Sequence, residues 1–263
     1  MPVRLRRGLS LAICLLGCLL LTMPARLHAA DLRLGYPDQA VYPFHAGEGS
    51  EVAQPPGMAV DLTLRLLRQS GLSVDLVRLP IRRLHEEMRA GRVDGWIGLS
   101  YTPERAEYLA FPMRDAQPDH ERRLLVSHYA LYRPLGGGAH WQGGGIAGLN
   151  GGPLGMPAGF ALAQEMRATG QGVEEFGDAA HMFRLLDLGR LGAVLAKENA
   201  ADRLIASQRM RRIEKLPGDL SRDYFLAVGQ QAYAARREAI ERLWSDMAVQ
   251  REAVYAELAP LYH

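Results

Sequence analysis

The feature that most constrains this chain is an alternation of short strands and amphipathic helices that runs twice, on either side of a glycine-rich stretch. Leu32-Arg33-Leu34-Gly35 reads as a strand, and a loop holding Tyr36, Tyr42, Pro43 and Phe44 follows it. Pro55-Pro56-Gly57 punctuates the chain before Val60, Leu64 and Leu67, whose i, i+4, i+7 spacing predicts a helix over 58–70. Gly71 stops that helix, 72–77 alternates as a strand, 81–90 returns to helix and Trp96 to Leu99 to strand. Thr102-Pro103-Glu104 then reads as a helix start, with proline at the first helical position. Residues 136–155 hold ten glycines, and before them Arg122 to Tyr132 reads as an extended crossover. The second series follows, with strands expected at 146–149, 173–176 and 193–196 and helices at 158–168, 178–188 and 198–207. Tyr224 to Val228 makes a strand that returns to the first series. The chain ends in a long helix striped with Ile240, Leu243, Trp244, Met247, Val254 and Leu258. This rhythm predicts an α/β fold of two similar lobes, mixed sheets flanked by helices, with a ligand cleft between them. Lobe 1 is expected to comprise 30–121 plus 222–263, and lobe 2 to comprise 122–221.

The first 29 residues stand apart. Arg4, Arg6 and Arg7 precede an apolar run from Leu9 to Leu21, then Thr22, Met23 and Pro24. A basic head, a short apolar centre and small residues before Ala29 make a secretory signal peptide, and the run is too short for an ordinary spanning helix of ~20 residues. Cleavage after Ala29 would leave a periplasmic protein. Leu15-Leu16-Gly17-Cys18 also resembles a lipoprotein cleavage box, but the apolar stretch continues past it. The segment carries four arginines and no acid, so without it the formal charge of +2 becomes 27 basic against 29 acidic residues. The basic balance therefore belongs to the leader, and no nucleic-acid partner is expected. Cys14 and Cys18 are the only cysteines, which excludes disulfides and thiolate sites from a cleaved product.

Three landmarks carry a family resemblance. They are Gly57-Met58-Ala59-Val60-Asp61-Leu62, Gly91-Arg92-Val93-Asp94-Gly95, and Ser100-Tyr101-Thr102-Pro103-Glu104-Arg105 followed by Leu109-Ala110-Phe111-Pro112. The series resembles the family 3 periplasmic solute-binding proteins, the polar-amino-acid receptors of ABC importers. Gly189-Arg190-Leu191-Gly192-Ala193-Val194-Leu195 resembles that family's second-lobe segment. The resemblance runs from about residue 31 to 260 and implies the type II binding-protein fold, a small-molecule solute, an inner-membrane permease or sensor as partner, and a monomer.

The resemblance places Arg105 as the clamp on a ligand carboxylate, a role its five-donor fork suits. Ser100 and Thr102 occupy the places of accompanying hydroxyls, although one residue is missing between Asp94 and Ser100 relative to the commoner pattern. A surface arginine pairing with Glu104 or Glu107 is the plainer reading. Tyr42 and Phe44 lie in the loop where the family stacks an aromatic on its ligand, and loop packing would serve them equally. Tyr36 and Trp96 are weaker candidates, since buried aromatics usually serve the core.

The departures shape the ligand. Where the family's amino-acid receptors hold an α-ammonium with aspartate, the register lands on Lys197, with Glu198 beside it. A lysine cannot accept from an ammonium. The turn after the expected 146–149 strand reads Gly151-Gly152-Pro153, and proline removes a donor. If Arg105 and Lys197 both face the cleft, an anionic or dicarboxylate ligand fits; if Lys197 faces solvent, Glu198 replaces the aspartate.

Other signals are weak. Gly143 to Gly148 fits G-x-G-x-x-G but precedes a strand, so no dinucleotide is expected. No histidine pairing has metal-ligand spacing, and no cofactor is expected. Three functions stay in view: a transport receptor for an ABC importer, a sensory or orphan receptor signalling to a membrane protein, and an enzyme resembling periplasmic cyclohexadienyl dehydratases. The enzyme would need a general acid, for which Glu198 is the candidate.

Overall fold

The computed structural model describes residues 30–218 and 220–262. The leader expected over 1–29, with Cys14 and Cys18, lies outside the described residues. The first series consists of β1 (Leu32–Pro37), α1 (Met58–Gln69), β2 (Val74–Leu79), α2 (Ile81–Arg89), β3 (Gly95–Ser100), the one-turn α3 (Pro103–Ala106) and β4 (Leu109–Ala110). A small hairpin, β5 (Met113–Arg114) and β6 (Gln117–Pro118), leads into the long β7 (Leu125–Pro134). A second hairpin, β8 (His140–Gln142) and β9 (Gly145–Ala147), precedes β10 (Leu154–Pro157), α4 (Ala161–Ala168), β11 (Val173–Phe176) and α5 (Ala179–Asp187). β12 (Ala193–Lys197), α6 (Glu198–Ser207), β13 (Ile213–Leu216), β14 (Ser221–Gly229), α7 (Gln230–Ala235) and α8 (Arg237–Leu258) complete the order.

All but the two hairpins join one ten-stranded sheet, along the path β11-β10-β12-β7-β14-β3-β1-β2. Its ends are parallel triplets: β1 lies between β2 and β3, and β10 between β11 and β12. Its middle is antiparallel. The start of β14 pairs with the start of β7, Ser221 opposite His128 and Tyr224 opposite Leu125. Beyond that point β14 runs along β3 and β7 runs along β12. β4 adds to β14 on one side and β13 to β7 on the other. Each half therefore repeats one topology, and each completes its sheet with one of the two crossing strands.

Burial on both faces explains the sequence of the inner strands, since parallel strands covered by helices read as continuous apolar runs. All six residues of β3 are buried. In the first half, Leu62 and Leu66 of α1 and Leu243 and Met247 of α8 cover one face, and Leu84 and Met88 of α2 join the cluster on the other. Trp244 anchors α8 by donating from Nε1 to the Leu226 carbonyl at 2.9 Å. In the second half, Leu162 and Met166 of α4 belong to one cluster, and Met182, Phe183 and Leu186 of α5 to another.

One expected strand is displaced. Residues 146–149 form an arm of the β8–β9 hairpin and the loop after it, not the first strand of the second series. That strand is β10, whose Leu154, Gly155 and Met156 are buried and whose Leu154 and Gly155 pair on both edges. The short run from Ile146 to Leu149 after a glycine cluster mimics a strand, but the left-handed Gly143 and Gly144 turn the chain back into the hairpin. Pro153 consequently precedes the strand instead of following it, and the missing donor falls outside the turn between β10 and α4.

Candidate functional site

Arg105 owes its position to a short run of local chemistry. β3 ends at Ser100, and Thr102 caps α3 by accepting from the Arg105 backbone N–H at 3.2 Å, with Pro103 pre-set for the first helical position. The single turn returns the Arg105 side chain toward β3, where it is 7% exposed. Nη1 donates to the Ser100 carbonyl at 2.8 Å and to its Oγ at 2.7 Å. Nη2 donates to the Gly159 carbonyl at 3.2 Å, in the loop between β10 and α4. Burial pulls the guanidinium pKa down, against the pull of Tyr224, Tyr108 and Glu104, yet arginine stays charged. Its partners are thus neutral oxygens, and the nearby Glu104 is paired with Arg89.

Arg105, Ser100, Tyr42 and Lys197 line one cavity of about 320 Å³, together with Trp96, Phe160, Met182 and Phe183. Lys197 ends β12, and its Nζ lies 4.0 Å from the Tyr224 ring centroid and 5.2 Å from that of Phe160. Arg203, on α6, lies 3.8 Å over the Tyr42 ring. Among the described lining residues the one carboxylate is Glu48, which is exposed and accepts from the Ala40 N–H.

His45 completes the wall. It is 3% exposed, and neither ring nitrogen has a hydrogen bond of good geometry, the Ile97 backbone supplying only a poor one. Burial, with Lys197 and Arg78 nearby, lowers its pKa to about 3. The ring fits because Gly98 interrupts β3 at φ +83°, and a Cβ there would stand 3.2 Å from the imidazole. The indole Nε1 of Trp96 is also buried and unpartnered.

The remaining expected residues lie elsewhere. Thr102 borders a larger neighbouring pocket of about 1040 Å³ that shares Arg105, Gly159 and Phe160 with the first. Phe44 packs toward Tyr255, 6.0 Å between centroids, and does not line the cavity. Glu198 forms an ion pair with Lys215, whose Nζ is 2.6 Å from Asp202, and it too lies outside the cavity. Tyr36 is fully buried, 5.4 Å from the His45 ring, in the core below. His45, Arg203, Phe160 and Tyr224 carry no sequence motif and were found only through the fold. Among the described residues no cluster of three or more His, Cys, Asp or Glu is placed to hold a metal, and no helix is long and apolar enough to cross a membrane.

Besides Lys197 over the Tyr224 ring, several contacts tie the first half of the fold to the second around this cavity. They include Arg105 to the Gly159 carbonyl, Gln39 Nε2 to the Gly177 carbonyl at 3.0 Å, and Arg203 over Tyr42. The cavity is thus held closed by groups from both sides.

No family model and no curated protein matches the sequence. Solved structures do match. A histidine kinase sensor domain with similarity to periplasmic binding proteins aligns at TM-score 0.65 and 19% identity, covering 86% of this chain and 94% of its own. The GluR0 ligand-binding core from Nostoc punctiforme, solved with L-glutamate, aligns at 0.65 and 15% identity over 86% and 98% of the two chains. An ancestral arginine-binding protein bound to glutamine aligns at 0.64 and 17% over 88% and 96%. The chain has the two-lobed periplasmic-binding-protein fold, the fold of the family 3 solute-binding proteins that its sequence resembles.

Proposed function

We propose that the protein is a periplasmic solute-binding protein that captures a small carboxylate-bearing solute in the Arg105 cavity and presents its closed form to the permease of an ABC importer. The observation that carries this reading is a buried guanidinium without a carboxylate partner. A buried charge is costly unless paired, and a ligand carboxylate would pair bidentately with the Nε–H and the second Nη2–H, the donors that Ser100 and Gly159 leave free. Closure follows when a ligand touches both halves, since it shifts the equilibrium only through differential affinity. The lobes are expected to divide as 30–121 plus 222–263 and 122–221, and the protein to act as a monomer.

A sensory role draws support from the histidine kinase sensor domain among the similar structures. The dehydratase-like alternative loses its candidate acid, because Glu198 is committed to Lys215 outside the cavity. The deciding experiment is calorimetric titration of the purified chain with amino acids, oxo-acids and dicarboxylates, repeated on Arg105→Ala and Arg105→Lys. Two charge-assisted hydrogen bonds at ~1.5–3 kcal/mol each predict at least a ~100-fold loss of affinity in Arg105→Ala and partial recovery in Arg105→Lys. Wild-type affinity in a folded Arg105→Ala would refute the clamp. Mass spectrometry of the exported protein should find Ala30 at its N-terminus, and a lipidated Cys18 would overturn the cleaved-leader reading.

A further inference from the structure

We infer that this cavity selects an organic acid that carries no ammonium group, and that Lys197 is the residue that sets the choice. The inference rests on the solute-binding reading above and deepens it. Three cations border the cavity, and each is satisfied by neutral partners: Arg105 by oxygens of Ser100 and Gly159, Lys197 by the rings of Tyr224 and Phe160, Arg203 by the ring of Tyr42. None of these contacts is a carboxylate.

An α-amino acid closed into this space would need a counter-charge for its ammonium. Glu48 is the one acid among the described lining residues, and it is exposed and turned to the Ala40 N–H. Aromatic faces and neutral oxygens are the other means of holding a buried cation, and the Ser100 and Gly159 oxygens are taken by Arg105. The faces of Tyr42, Phe160 and Tyr224 already carry the protein's own cations, His85 lies against Trp96 at 4.7 Å, and Phe183 packs edge-on with Tyr132 at 5.3 Å. An ammonium would therefore meet Lys197 with no buried carboxylate among the described lining residues to offset it. An oxo, hydroxyl or second carboxylate oxygen in the same place would instead accept from the Lys197 Nζ. The remaining wall of Met182, Phe183 and Phe160 suits an apolar or aromatic body.

The test uses matched pairs that differ only at the α-position: phenylpyruvate with L-phenylalanine, 4-methyl-2-oxopentanoate with L-leucine, and 2-oxoglutarate with L-glutamate. Calorimetry on the purified chain should show the oxo-acid of at least one pair binding, by at least about tenfold tighter than its amino acid, a difference of ~1.4 kcal/mol. Lys197→Asp should reverse the order within that pair, and Lys197→Met, which keeps an unbranched apolar stem without the ammonium, should abolish the discrimination without reversing it. An amino acid binding as tightly as its oxo-acid, or an order unchanged in both variants, overturns this inference and leaves the solute-binding reading standing. No heat from any of the six compounds overturns that reading, and this inference with it.

Discussion

His45 is a base that the fold keeps from acting as one. Its pKa of about 3 lies below the ordinary imidazole value of 6.5 because burial removes water and Lys197 and Arg78 repel a second positive charge. Between those values the unfolded chain binds a proton that the folded chain refuses, so stability rises with pH across that window and is lost as pH falls below 6.5. At ~1.36 kcal/mol per unit this comes to ~2 kcal/mol by pH 5. His85, lowered to about 4 by burial and by Arg105 and Arg89, acts in the same direction. Urea denaturation of His45→Gln at pH 7 and pH 5 should therefore show a loss of stability on acidification smaller than wild type's by about 2 kcal/mol. Equal losses would mean that His45 is already protonated or hydrated in the native state. Little of this chemistry was legible in the sequence. Arg105 stood out only through the resemblance of the Ser100-to-Arg105 segment to a family that clamps a ligand carboxylate there, and the cap at Thr102 explains how the chain holds it beside β3. His45 and Arg203 did not, because each enters the cavity through chain folded far from it, from the loop after β1 and from α6.

At the scale of elements, the legible parts are those whose boundaries are set by local chemistry. The strand at 173–176 and the helix at 198–207 fall where periodicity placed them, between glycine and polar boundaries. β2 begins at Val74, two residues later than expected, since Leu72 is used to close the end of α1 by donating to the Leu67 carbonyl. β13 went unseen because Ile213-Glu214-Lys215-Leu216 is half-buried and has no clean alternation. The start of α1 offers a direct test. Gly57 lies at φ +116°, and a Cβ there would come within 2.3 Å of the Phe44 carbonyl oxygen, a backbone atom that cannot swing away. The Gly57 N–H also donates to the Tyr262 hydroxyl, which in turn donates to Asp61. Gly57→Ala should cost about 2–3 kcal/mol, read as a lower urea midpoint with unchanged slope. An unchanged midpoint would show that the loop before α1 yields freely.

Across the whole molecule, the closed arrangement depends on how near Gly159 can come to α2. A Cβ at Gly159 would stand 2.7 Å from the Ile81 side chain, and the residue sits at φ +79°. Gly159→Ala should hinder closure, so that small-angle scattering in the presence of a saturating acid gives a larger radius of gyration than wild type. Ile81→Ala in the same chain should restore most of the contraction, because it removes the opposing methyl groups. A compact Gly159→Ala protein would place the closing contact elsewhere. The two crossing strands have a second consequence, for assembly. β3 is complete by residue 100, but its partner β14 begins at Ser221, and α1 waits for α8 until the chain is nearly finished. The first half made is thus the last to be closed, and until then β3 presents an unpaired edge of the kind that recruits other chains. Contacts so distant in sequence slow folding, so shortened translation products ending before Ser221 should aggregate, while the full chain refolds with its first-half helices protected from hydrogen exchange only after β14 has docked.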